Sequence, residues 1–113
     1  MVMLIFILFP LSAHASEHDY QKLWCYEHSG VMEYRLPDST RVDCLTSTHA
    51  VEMDFGRKWA EAIGQSLYYS LRTGKRAGIV LILDGKKELR FLKRLKATIK
   101  YQSLPIDVWI MDR

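Results

Sequence analysis

Cysteine is scarce in this chain. Cys25 and Cys44 are the two present, and neither sits in a C-x-x-C. That excludes a zinc ribbon, which needs thiolates paired at short spacing. His14, His18, His28 and His49 are scattered without the spacing of zinc ligands, and the last three read as surface histidines. A cysteine-protease centre lacks a Cys/His pair with supporting context. No internal repeat and no low-complexity stretch is visible. No apolar run reaches the roughly 20 residues needed to span a bilayer. At 113 residues two tandem domains do not fit. Hydrophobic residues at 49% and charged residues at 26% exclude a disordered or collagen-like chain and leave one globular domain.

The longest apolar run lies at the start. Residues 1–15, MVMLIFILFPLSAHA, carry no charged side chain, and Pro10 interrupts the run. Ala13-His14-Ala15 places small residues where a signal peptidase reads them, so residues 1–15 are read as a cleaved signal peptide. The expected product is an exported domain, residues 16–113, periplasmic or secreted, with no stable membrane association after cleavage. Every charged side chain lies in that domain, so its net charge stays at +3. Outside the cytoplasm two cysteines usually pair, so a Cys25–Cys44 disulfide is expected.

Residues 18–29 have helical spacing, with Gly30 as a stop. Residues 31–36 and 41–46 read as a hairpin around Pro37-Asp38-Ser39, and 49–55 as a third strand. Residues 57–73 form the clearest helix, with Trp59, Ile63, Leu67 and Leu71 as its core stripe. Gly74 sits at its C-terminal cap. Residues 78–84 are a continuous apolar run, read as a strand buried on both faces. Residues 86–101 form a second amphipathic helix on Leu89, Leu92, Leu95 and Ile99, and 106–112 close the chain as a strand. Trp24, Trp59 and Trp109 fall on core-like positions. The order α-β-β-β-α-β-α-β implies an α/β (α+β) fold, a mixed sheet flanked by helices.

Alternation along a strand puts Glu52 and Asp54 on one face of 49–55, with Val51, Met53 and Phe55 on the core face. Asp43 lies on the polar face of the preceding strand. Three converging carboxylates repel one another unless a cation is present, and such clusters build oxygen-ligand Mg²⁺ sites. Ordinary solvent-facing acids on a half-exposed sheet fit the same pattern. Lys58, Gln65 and Tyr69 share one stripe of the following helix, where they either serve the acids or fill the boundary between core and solvent.

Together these residues resemble the PD-(D/E)XK, or restriction-endonuclease-like, nuclease superfamily, whose core order α-β-β-β-α-β matches residues 18–84. Asp43 matches its first acid and Glu52 its second. Gln65-Ser-Leu-Tyr-Tyr69 fits the Q-x-x-x-Y helix of the branch resembling the RecB nuclease domain. Asp54 stands where the motif lysine belongs, and Lys58 is placed to substitute for it. Glu33 is a looser match to an additional upstream acid. The resemblance implies Mg²⁺ or Mn²⁺ held by Asp43, Glu52 and Asp54. It implies Asp43, Glu52, Lys58, Gln65 and Tyr69 as catalytic residues, and phosphodiester hydrolysis of DNA or RNA as the activity. Residues 86–101 hold seven of the sixteen basic residues, among them Arg90, Lys93 and Arg94. This stripe either grips phosphates or is a solvated helix face. Two functions are therefore open: a metal-dependent nuclease, or a non-catalytic binding protein retaining the nuclease fold.

Overall fold

A computed structural model of the chain describes residues 15–113. The expected signal segment, apart from Ala15, lies outside the described residues. Helix α1 spans Glu17–Glu27, followed by β1 (Val31–Arg35), β2 (Arg41–Leu45) and β3 (His49–Phe55). A 3₁₀ turn, Gly56–Lys58, leads into α2 (Trp59–Thr73) and then β4 (Arg76–Leu83). A second 3₁₀ turn, Lys86–Glu88, leads into α3 (Leu89–Tyr101), and β5 (Ile106–Asp112) closes the chain. The element order is the one the sequence implies. Both long helices start two or three residues later than expected, because a 3₁₀ turn precedes each.

The five strands form one sheet in the order β1-β2-β3-β4-β5. The β1–β2 and β2–β3 pairs are antiparallel, and β3–β4 and β4–β5 are parallel. The two parallel steps need long crossovers, which α2 and α3 supply. Both helices cover one face, where Ala62, Phe91, Leu92 and Leu95 pack on Ile79, Leu81 and Ile106. The other face is covered by α1, where Trp24 and Cys25 pack with Cys44, Val51, Met53 and Val80. Strand β4 is therefore buried on both sides after its first residue, which explains its unbroken apolar sequence. The disulfide Cys25–Cys44 ties α1 to β2, with Cα atoms 5.7 Å apart.

Ser16 and Asp19 form a capping box at the start of α1. Gly74 ends α2 in the left-handed conformation, as its position implies. The core stripe of α2 is displaced from the expected one. Leu71 is 77% exposed, whereas Ala62, Ser66 and Tyr69 are buried. Trp59, Ile63 and Leu67 sit partly buried at the side of the core. Two of the three buried residues, Ala62 and Ser66, are small, which lets the crossover helix pack close to the sheet. On α3, Leu89 is largely exposed and Phe91 takes its place in the core.

Candidate functional site

The third strand carries the site. Glu52 and Asp54 do share a face of β3, but that face is closed over: they are 5% and 4% exposed. The reading of these acids as solvent-facing is thus corrected, because α2 covers this side of the sheet and α1 reaches round its edge. Asp43, Glu52 and Asp54 line one cavity of about 450 Å³ together with Glu17, Lys58 and Gln65. Ser16, His18, Gln21 and Glu33 complete its wall.

Asp43 gets there through a break in alternation. Val42 packs with Leu36, Ala50 and Tyr69, whereas Cys44, two residues on, packs with Trp24 and Val51. Regular pleating would put both on one face. The β2–β3 pairing is confined to Cys44↔Val51 and Leu45↔Ala50. Beyond it, Asp43 Oδ2 accepts the backbone N–H of Met53 at 2.9 Å. Across β1, Glu33 has φ 52°, a left-handed conformation that is uncommon for a residue with a side chain. It opposes Asp43 between the pairs Met32↔Cys44 and Tyr34↔Val42. Gln21 of α1 clasps the distortion, its amide donating to Asp43 O at 2.7 Å and Glu33 Oε1 at 3.1 Å. Irregular, strained backbone of this kind clusters at functional sites.

The electrostatics follow from the crowding. Burial first, then the charges of Asp43 and Asp54, push Glu52 to about 11. Burial raises Asp43 to about 6, against the lowering effect of the Met53 N–H. Asp54 rises to about 8 through burial and then its contact with Glu17. Asp54 Oδ2 is fully buried and has no hydrogen-bond donor. The side chains that reach Asp54 are themselves carboxyls, Glu17 and Glu52, so they satisfy it only when protonated. A proton or a cation has to sit among these groups. The carboxylate oxygens of Asp43, Glu52 and Asp54 suit a hard cation such as Mg²⁺ or Mn²⁺. Among the described residues, no three His, Cys, Asp or Glu side chains are already arranged to hold a metal ion.

The remaining expected site residues divide. Lys58 is half-buried and Gln65 exposed at the cavity wall. Tyr69 is buried beneath, packed on Val42 and Ala50, and burial followed by the nearby Glu52 charge raises it to about 12. Arg90, Lys93 and Arg94 are exposed on α3, with the Arg90 and Arg94 guanidinium carbons 4.3 and 5.7 Å from the Phe91 ring centre. Glu17 and Gln21 were not expected from the sequence. Their signal was faint: Gln21 lies one turn before Cys25, on the helix face that the disulfide forces onto the sheet.

A larger cavity of about 510 Å³ lies on a different side of α1, walled by Leu23, Tyr26 and Met32. Asp19 and Lys22 are its charged lining residues, and no group of carboxyls gathers there. No helix among the described residues is long and apolar enough to cross a membrane. No protein-family model matches the chain, and neither a curated protein nor a solved structure matches it.

Proposed function

We propose that this chain is an exported nuclease of the restriction-endonuclease-like kind, hydrolysing phosphodiesters of DNA or RNA with Mg²⁺ or Mn²⁺ at Asp43, Glu52 and Asp54. The observation that carries the reading is Asp54 Oδ2, buried without a donor in a cavity shared by the other two acids and Lys58. The three carboxylates would hold the ion, and a divalent cation supplies an activated water at neutral pH. The chain's own groups do the rest. The Met53 N–H fixes the Asp43 carboxylate. Lys58, at the cavity wall, offsets charge building on the phosphate oxygens. Gln65 offers an amide at the same wall, and Tyr69 supports the strands beneath. The export and the nuclease kinship rest on the N-terminal segment and on the motif residues.

Substrate grip has a natural place. Strands β3 and β4 are parallel, with Asp54 beside Leu81 and Phe55 beside Ile82. The chain therefore leaves both strands at the same sheet end, toward Lys58 from one and toward Lys86, Lys87 and Arg90 from the other. A basic helix starting beside the acids suits a polyanion.

A second reading, a binding protein without cleavage, is favoured by Asp54 in the motif lysine's position. Incubating the purified protein with Mg²⁺ or Mn²⁺ and single- and double-stranded DNA and RNA separates the two. Cleavage that Lys58→Ala slows far more than Lys86→Ala supports the first. Binding without cleavage supports the second, and neither binding nor cleavage overturns both. Calorimetric titration with Mn²⁺ should give heat with wild type and none with Glu52→Ala; equal heats would remove the cation site.

A further inference from the structure

His49 opens β3 at the end of the strand opposite Asp54. It is not the surface histidine its sequence context suggests: its side chain is 17% exposed and both ring nitrogens are engaged. Nε2 lies 2.7 Å from Asp107 Oδ2 on β5, and Nδ1 lies 2.7 Å from Thr48 Oγ1. The proton positions follow from the partners. Arg76 donates to both Asp107 oxygens, through Nε at 2.6 Å and a terminal nitrogen at 3.2 Å. Arg76 first, then His49, hold the Asp107 carboxyl below its ordinary value, so it accepts only. Nε2 therefore carries the hydrogen, Nδ1 is left as the acceptor, and the Thr48 hydroxyl donates to it.

The geometry points to a second, nucleophilic centre in this protein, an Asp107–His49–Thr48 relay that takes a short acyl group from an activated ester and passes it to water. A hydroxyl bonded to a base that a buttressed carboxylate orients is the arrangement that activates such nucleophiles. The turn bearing Thr48 is held in place. Thr46 Oγ1 accepts the His49 N–H at 2.9 Å, and Thr48 O accepts the Arg76 N–H at 3.1 Å. Lys75 Nζ donates to Ser47 O at 2.9 Å.

Thr48 is exposed and faces a cavity of about 170 Å³. Its far wall is aromatic: Trp24 stacks on His28 with ring centres 3.7 Å apart, and Trp109 meets both Trp24 and His49 edge-on. Gly78 lets Trp109 lie there, since a Cβ on it would sit 2.8 Å from the Trp109 ring. A cavity this small suits a short acyl chain, not a large ligand. In the reaction Thr48 Oγ1 bonds the acyl carbon, and its proton passes to His49 Nδ1. The bond to the leaving oxygen breaks, and that oxygen takes the proton. Water, deprotonated by the same nitrogen, then releases the acid and restores the hydroxyl.

A fluorophosphonate probe tests this directly, because it bonds an activated hydroxyl through phosphorus and expels fluoride. Wild type should take a single phosphonyl group, mapped by peptide mass spectrometry to Thr48. His49→Gln and Asp107→Asn should label about a hundredfold more slowly. Thr48 is exposed, so Thr48→Val and Thr48→Ser should fold normally; the first should abolish labelling and the second restore it. Turnover of p-nitrophenyl acetate should follow the same order. EDTA should change neither, which separates this centre from the acidic one. Labelling at another residue, or ester turnover in Thr48→Val at the wild-type rate, would overturn the inference.

Discussion

The Asp43 carboxylate stands in for a strand: its Oδ2 takes the Met53 N–H at 2.9 Å, where β2 has parted from β3. A candidate ligand is thereby also a structural acceptor, and the two roles can be separated. Asp43→Ala leaves the buried N–H unpaired and should cost about 1–3 kcal/mol in urea unfolding. Asp43→Asn keeps a carbonyl oxygen there and should unfold near the wild-type midpoint while losing Mn²⁺ affinity. Equal instability of the two variants would mean that the charge, not the hydrogen bond, holds the strand.

The acidic cluster should make the cation-free protein less stable as pH rises. In the unfolded chain Asp43 and Asp54 ionise near 3.8, whereas in the fold they are raised to about 6 and about 8, and Glu52 further still. The folded state thus holds protons that the unfolded state has lost. The stabilisation is complete below about pH 3.8 and drains away as pH climbs through about 6, then about 8 and, for Glu52, about 11. Asp38 and Asp107 are lowered and act only at more acidic pH. Thermal melts in EDTA should show Tm falling from about pH 4 to about pH 8. Glu52→Gln should flatten the fall, and Mn²⁺ at the upper end should reverse it. A Tm that holds level in EDTA would contradict the crowding.

Gly30 should be as sensitive as the disulfide beside it. A Cβ there would stand 2.3 Å from Cys44 Sγ and 2.8 Å from Cys25 Sγ, and the Gly30 N–H is tied to Cys25 O at 2.9 Å. The bridge closes a separation of 19 residues, for which chain entropy suggests about 3 kcal/mol. Gly30→Ala should forfeit much of that in chemical unfolding. In a Cys25→Ala/Cys44→Ala background the same substitution should cost far less, a coupling that a double-mutant cycle reads. Additive costs would mean that Gly30 serves something other than the bridge.

If α3 grips phosphates, affinity for nucleic acid should fall linearly with salt on logarithmic axes. Reversing the charges of Arg90 and Lys93 should make that slope shallower, since each phosphate contact contributes to it. Binding that ignores salt would return α3 to a solvated face.

The order of elements is written locally. Apolar spacing in 57–73 and 86–101, the unbroken run before Asp84 and the turn at Pro37-Asp38 each depend on near neighbours, and the structure follows them. The shared face of Glu52 and Asp54 and the stripe of Lys58 and Gln65 were also legible, because strand period and helix spacing constrain which side chains share a face; Asp43 joins them through a break in alternation that the period does not show. The pairing of Cys25 with Cys44 followed from having two cysteines in a chain read as exported.

Other features depended on contacts between distant segments. Burial of Glu52 and Asp54 requires α1 and α2 to close over β3, and no pattern within 49–55 states what covers it. The same packing put Ala62, Ser66 and Tyr69 against the sheet and turned Leu71 outward, an orientation fixed by what the helix meets and not by which of its residues are most apolar. Glu17 and Gln21 joined the acids because the disulfide sets α1 over the sheet. His49 met Asp107 and Arg76 because β3, β4 and β5 run parallel, bringing residues 58 positions apart to one sheet end. Periodicity shows which way a side chain points, but what it meets is set by the neighbouring segment.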